Sequence, residues 1–250
     1  MLMKTVKDTL LERRSIRRYE YEPVTDGQMQ MIFEAVRNTP TSYNGQQFSV
    51  IDVSDPDVRQ KLYELTGQKQ IKTCSHFLVF VADYNKISVL ARDKGVDMPP
   101  FCDTVDGFTV GTVDASLAMM SAVVMAESLG LGTCCVGYAR TAAPTGISDL
   151  LGLPRHVAVI CGLAIGVPRE IPDLKPKQPM SLVVHKDRYR QDDMTADLRQ
   201  YDDTVTRYNA TRTGTKSDND WCAHIISYYR EAMNYRMADA FRARGFDFRQ

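Results

Sequence analysis

Apolar residues recur along this chain with helical and strand periods, and the switches between them divide it into elements. Val6, Leu10 and Leu11 have the spacing of a short amphipathic helix. Met29, Ile32, Phe33 and Val36 form a second helical stripe, with Asp26 as the expected N-cap and Asn38 near the end. Phe48–Val53 reads as a strand, and Asp55-Pro56 opens the helix after it, proline being well suited to a first helical position. Phe77–Ala82 is nearly continuously apolar, which predicts a strand covered on both faces. From about Thr104 to Ser128 the pattern predicts one long helix. Its buried stripe should be Val113, Leu117, Met120, Val124 and Leu129, with alanines between, and Gly130 suits the left-handed position after a helix. Residues 133–138 and 156–164 read as two further strands, separated by a short helix that starts near Ala142 and ends at Gly152.

Beyond Gly166 the texture changes. Pro168, Pro172, Pro176 and Pro179 cannot occupy a helix interior or central strand, so residues 166–180 should cross the surface as an extended segment. From Asp187 the tail is polar, rich in Tyr and Arg, and predicted helical in three pieces. The chain has 250 residues and a formal net charge of zero, which argues against a broad nucleic-acid or anionic-membrane footprint. The Met1-Leu2-Met3-Lys4 start lacks the apolar core of a signal peptide, and the longest apolar run, about Ala115 to Met125, is too short to span a bilayer. Six cysteines without CxxC spacing read as buried small hydrophobes of a reduced, cytoplasmic protein, the vicinal pair Cys134–Cys135 among them.

Against that even charge, Arg13-Arg14-Ser15-Ile16-Arg17-Arg18 is a local device. Guanidinium forks contact phosphate oxygens bidentately, and Ser15 adds a compact donor. From composition alone the run could equally be a solvated helix terminus. The loop Thr39-Pro40-Thr41-Ser42-Tyr43-Asn44-Gly45-Gln46 supplies hydroxyls and amides suited to the polar edge of a heterocycle, or a capping turn. Gly67-Gln68-Lys69-Gln70 is a short amide-rich turn, and Lys175-Pro176-Lys177 places two cations on a stiff segment. No GxGxxG, P-loop, GxSxG or HExxH occurs, and His76, His156, His185 and His224 stand apart from any nucleophile. No metal site and no catalytic side chain is therefore expected. Phosphate binders without acid–base machinery suggest that a bound cofactor carries the reaction.

Taken in order, these segments resemble the FMN-dependent nitroreductase family, and within it the oxygen-insensitive, NADPH-preferring flavin reductase branch. The resemblance rests on Arg14-Ser15-Ile16-Arg17 before Tyr19, the Thr41-to-Gln46 loop, Glu127-Ser-Leu-Gly-Leu-Gly132, Gly162-Leu-Ala-Ile-Gly166, Asp173-Leu-Lys-Pro-Lys177, Thr211-Arg212 and Asp220-Trp221. It implies an α+β fold, with a central, mostly antiparallel sheet flanked by helices, in an intertwined homodimer. Residues 1–180 would form the FMN-binding core, and 181–250 a C-terminal helical extension of the same domain that wraps the partner. FMN would sit at the dimer interface, touched by both subunits. Arg13, Arg14, Ser15 and Arg17, with Lys175 and Lys177, would hold its phosphate and ribityl chain. Ser42, Asn44 and Gln46 would lie near the ring or ribityl, Gln68 and Gln70 nearby, and the backbone of Cys135, Val136, Gly137 and Tyr138 would line the flavin. Tyr138 stands where the branch usually has a second glycine. Arg212 and Lys216 would read the extra phosphate of NADPH. The implied activity is ping-pong reduction of nitroaromatics, quinones or flavins by NADPH or NADH, the nucleotide and the acceptor using one place in turn. A flavin-destructase or dehalogenase-like offshoot and a non-catalytic flavin-binding regulator are the alternatives.

Overall fold

The computed structural model describes residues 4–192 and 194–249; Met1-Leu2-Met3, read above for the lack of a leader, lies outside them. In chain order the elements are α1 (Val6–Glu12), α2 (Asp26–Arg37), β1 (Phe48–Val53), α3 (Pro56–Thr66), α4 (Gln70–Thr73), β2 (His76–Asp83), α5 (Asn85–Asp93), α6 (Val105–Ser128), β3 (Gly132–Val136), α7 (Tyr138–Thr141), α8 (Pro144–Leu150), β4 (Val157–Gly166), α9 (Met180–Val183), α10 (Met194–Thr211), α11 (Trp221–Ala232) and α12 (Met237–Ala243). Single 3-10 turns lie at Ser42–Asn44 and Phe101–Asp103. Residues 4–171 with 236–249 cluster as one compact unit, and residues 172–235 as a second.

In the first unit one sheet, in the order β1-β2-β4-β3, has every neighbouring pair antiparallel. β2 shows why its sequence is apolar throughout. Phe77, Val79 and Val81 point into one core with Leu62, Ile71, Ala139 and Ile147, while Leu78, Phe80 and Ala82 point into another with Ile32, Val36 and Ala118. Alternate residues of a strand face opposite sides, so a sheet layered between helices buries both sets.

Three local expectations are corrected. The N-cap of α2 is Thr25, not Asp26: its hydroxyl accepts from Gln28 N while Gln28 returns to the Thr25 backbone, a reciprocal capping box. Val6, Leu10 and Leu11 of α1 are exposed, and Thr9 is the residue that turns inward. On α6 the predicted stripe is only partly buried: Leu129 packs against the core and Val124 is half-buried, while Val110 and Val123, outside the predicted stripe, are buried. Ala115, Ala118, Ala122 and Ala126 are fully buried against the sheet, whereas Val113, Leu117 and Met120 face outward at 45%, 43% and 39% exposure. Small residues let the helix approach the strands closely, which sends the bulky stripe to the opposite side. By length and composition α6 as a whole could also cross a membrane, yet its alanine face is spent on this core.

The second unit consists of the extended stretch after Ile171 and α9 to α11. None of its described residues is buried. Tyr201 meets Trp221 edge-on at 5.4 Å, Ser181 donates to Asp197 at 2.6 Å, and Asp220 caps α11 by accepting from Ala223 N. Ile226, Tyr229 and Met233 stand out to solvent.

Candidate functional site

A pair of glycines positions the basic run. Gly132 of β3 and Gly166 of β4 face each other at the end of the sheet. A Cβ on Gly132 would lie 2.8 Å from Ile16, and one on Gly166 would lie 2.7 Å from Tyr19. Their missing side chains open a slot in which residues 16–19 cross the sheet, tied by Ile16 N to Thr133 O at 2.8 Å and by the Tyr19 hydroxyl to Ile16 O at 2.6 Å. Burial raises the Tyr19 phenol far above its ordinary range, so it stays a donor. The backbone N–H groups of Arg17 and Arg18 donate to Glu170 at 2.8 and 3.2 Å, which fixes the run at its other end.

Held in this way, Arg13, Arg14 and Ser15 are half-buried beside β3, while Arg17 stays exposed with its guanidinium 3.4 Å from Ser15 O. The Nε atoms of Arg13 and Arg14 are buried without a hydrogen-bond partner. Two buried cationic donors left unsatisfied are costly unless an anion completes them. That is the donor set an FMN phosphate requires, and it fits the group. The buried Glu127 accepts from the Thr133 hydroxyl at 2.7 Å. Burial lifts its carboxyl above the usual carboxylate range, while the Thr133 hydroxyl and the Arg13 charge pull the other way.

The second group of predicted residues is organised elsewhere on α6. Asp114, fully buried, accepts from Ser42 N at 3.1 Å and Gln47 N at 3.2 Å, and so pins the intervening loop. Tyr43, Asn44 and Gln46 all adopt positive φ (57°, 52° and 52°), a conformation that costs energy in non-glycine residues and is held here by the Asp114 clasp. Ser42 is half-buried, and Asn44 and Gln46 are exposed. Gln70 is buried and donates to Gln68 at 2.9 Å, so the amide turn is a bonded pair.

Along β3 the side chains alternate: Cys134 is buried and Cys135 exposed. Reading both as core residues is thus corrected for Cys135, and Cys222 is exposed as well. Strand β3 stops at Val136, short of the predicted 138. Gly137 and Tyr138 begin a helical turn, and Tyr138 packs against the core that holds Leu62 and Ile71.

Within the second unit, Asp173 joins two predicted segments. Its carboxylate accepts from Thr213 N at 2.7 Å and the Thr213 hydroxyl at 3.0 Å, and its carbonyl accepts from Tyr208. The stretch with exposed Lys175 and Lys177 is therefore tied to the Arg212–Lys216 loop, where Arg212 Nε donates to Thr215 O at 2.7 Å. The Asp173 and Asp114 carboxylates accept from backbone N–H groups far along the chain, and no spacing in the sequence marks them for that role.

The model of the nitroreductase family matches residues 10–167, and that of the nitroreductase family C-terminal domain matches 175–249. The chain is 36% identical over 246 residues to an FMN reductase [NAD(P)H] of Bacillus subtilis, covering 98% of each chain. It is 35% identical over 224 residues to an oxygen-insensitive NADPH nitroreductase of Salmonella typhimurium, covering 89% of this chain and 90% of that one. A solved structure of a hypothetical oxidoreductase from Bacillus subtilis superposes with a TM-score of 0.94 at 35% identity, over 99% of this chain and 100% of that one.

Proposed function

We propose a function from a plain premise: the chain belongs to the nitroreductase family. It is an NAD(P)H-dependent FMN oxidoreductase. The observation that carries the site assignment is the pair of buried, unpartnered Arg13 and Arg14 Nε atoms beside Ser15. When bound, FMN supplies the two-electron chemistry that links a reduced pyridine nucleotide to an electron acceptor. Arg13, Arg14 and Ser15 bind its phosphate, with Arg17, Lys175 and Lys177 adding charge around it. Ser42, Asn44 and Gln46, with Gln68 and Gln70, offer polar contacts to the ring or ribityl, and the Cys135–Tyr138 backbone lines one side. Arg212 and Lys216 take the additional phosphate of NADPH. Nitroaromatics, quinones and flavins are the acceptors proposed.

The site belongs to a homodimer. Asp114 and Glu127 are more than three turns apart on α6, roughly 20 Å along its axis. One chain therefore keeps its 42–46 loop away from its own Arg13–Ser15 run. Between them lies the outward stripe of Val113, Leu117 and Met120. A second copy seated on that stripe brings its loop to the first copy's arginines, and obligate interfaces of this kind bury about 2,000 Å² or more. Six cysteines without CxxC spacing suit a reducing, cytoplasmic setting.

The direct test is the spectrum of the purified protein. A yellow protein whose flavin absorbance bleaches on adding NADPH supports the reading. Protein that neither carries FMN nor binds it when titrated contradicts it.

A further inference from the structure

Away from the basic run, the first unit brings together a side-chain cluster that the flavin reading does not use. Cys102 Sγ, an Asp103 carboxylate oxygen and a ring nitrogen of His156 lie within 4.8 Å of one another. The Cys102 thiol points at Asp103 Oδ1, 3.8 Å away. All three residues line a pocket of about 520 Å³, with Arg92, Asp97 and Met98 on its wall. Cys102 is buried, and Asp103 and His156 are half-buried.

Three chain segments aim these groups. Cys102 and Asp103 sit on a 3-10 turn closed by the Thr104 hydroxyl donating to Phe101 O at 2.8 Å, and Arg249 N donates to Asp103 O at 2.6 Å. His156 has φ 61°, a strained value for this residue, and its backbone is fixed on both sides: its N–H donates to Arg244 O at 2.7 Å and its carbonyl accepts from Tyr84 N at 2.9 Å. Its ring meets Phe246 edge-on at 6.4 Å. A Cβ on Gly245 would fall 2.7 Å from that ring, so only glycine leaves it room. Among the described residues no hydrogen bond occupies the ring nitrogens of His156.

We infer that Cys102, Asp103 and His156 form a binding site for a thiophilic divalent cation of the zinc class, distinct from the flavin site. Thiolate, imidazole and carboxylate together select zinc-like ions over magnesium or calcium, which take oxygen ligands. Bonds of about 2.0–2.3 Å in a tetrahedron place ligand atoms roughly 3.3–3.8 Å apart, so the observed triangle closes on the ion with shifts of about 1 Å. Three protein ligands leave a fourth position open toward the pocket, the arrangement of zinc sites that accept an exogenous ligand. The sequence conceals the site because its ligands come from distant turns rather than a CxxC or HExxH spacing.

The test uses tag-free, FMN-loaded protein, stripped with chelator and dialysed to equilibrium against low-micromolar zinc chloride. Elemental analysis should find one zinc per chain. Cys102→Ser and His156→Asn, the latter tolerant of the positive φ, should each weaken binding at least tenfold with FMN content and melting temperature unchanged. Cys135→Ser and Cys222→Ser, which alter the exposed thiols, should leave it intact. X-ray absorption of the wild-type zinc complex should show a single sulfur ligand beside nitrogen and oxygen, a readout that needs no variant. Absence of stoichiometric zinc, zinc that survives Cys102→Ser or follows an exposed cysteine, or a first shell with no sulfur or with two would overturn the assignment.

Discussion

The two units of this chain are built on opposite terms. Residues 4–171 with 236–249 pack apolar cores on both faces of one antiparallel sheet, with Leu62, Ile71, Phe77 and Leu163 fully buried. Residues 172–235 bury none of their described residues and are tied internally by polar contacts, such as Asp173 with Thr213, and by the Tyr201–Trp221 ring contact. The first unit fills its cores with its own residues. The second carries exposed Ile226, Tyr229 and Met233 with no core of its own to put them in. A helical unit with no fully buried residue gains little stability from its own packing.

The sharpest way to break that contrast is a matched truncation. Leu62→Ala should cost about 2–5 kcal/mol in urea unfolding, because it removes buried methyl groups and leaves a cavity. Ile226→Ala, at a side chain exposed within its own chain, should cost less than about 1 kcal/mol in the same measurement. Equal losses would mean that Ile226 is buried in the folded protein, within its unit or against a partner. Arg14→Ala should weaken FMN binding by about 1.5–3 kcal/mol in a flavin titration, the scale of a charged hydrogen bond; an unchanged affinity would remove the basic run from the site. Arg212→Ala, in the second unit, should lower kcat/KM for NADPH by about 1–3 kcal/mol and spare NADH, since only NADPH carries the extra phosphate. Equal losses for both nucleotides would make the loop a shaping element that does not read the phosphate. The smallest effect concerns Glu127. Its folded carboxyl keeps its proton to higher pH than the unfolded one, so stability is full at low pH and declines as pH rises from the ordinary carboxylate range through the raised value. Glu127→Gln should flatten that part of the urea-midpoint profile, and an unaltered slope would remove Glu127 as its source.

The strands, the Asp55-Pro56 helix start and the three tail helices were legible because each rests on local periodicity or capping. The orientation of α6 was not. Val113, Leu117 and Met120 repeat with helical spacing, and so do Ala115, Ala118, Ala122 and Ala126; the choice between the two faces depends on how closely a sheet approaches, which is a tertiary fact. Thr25 displaced Asp26 as the cap because Gln28 completes its box. At the site, the basic run was visible as charge, but the slot cut by Gly132 and Gly166 needed the strand register. The clasp of Asp114 on the 42–47 loop joins distant positions, as does the Cys102–Asp103–His156 cluster, and spacing alone reveals neither.

In the proposed homodimer each flavin site is assembled from two chains. Co-expressing one chain with Arg14→Ala and another with Ser42→Ala and Asn44→Gly, then isolating the mixed dimers by differential tags, tests it directly. If the site joins one chain's arginines to its partner's loop, one of the two sites receives both intact halves. Titration should then give FMN binding of wild-type affinity at half the wild-type stoichiometry, although each parent homodimer binds weakly. Mixed dimers with no wild-type site would contradict the two-chain site, because they would place both groups in one chain.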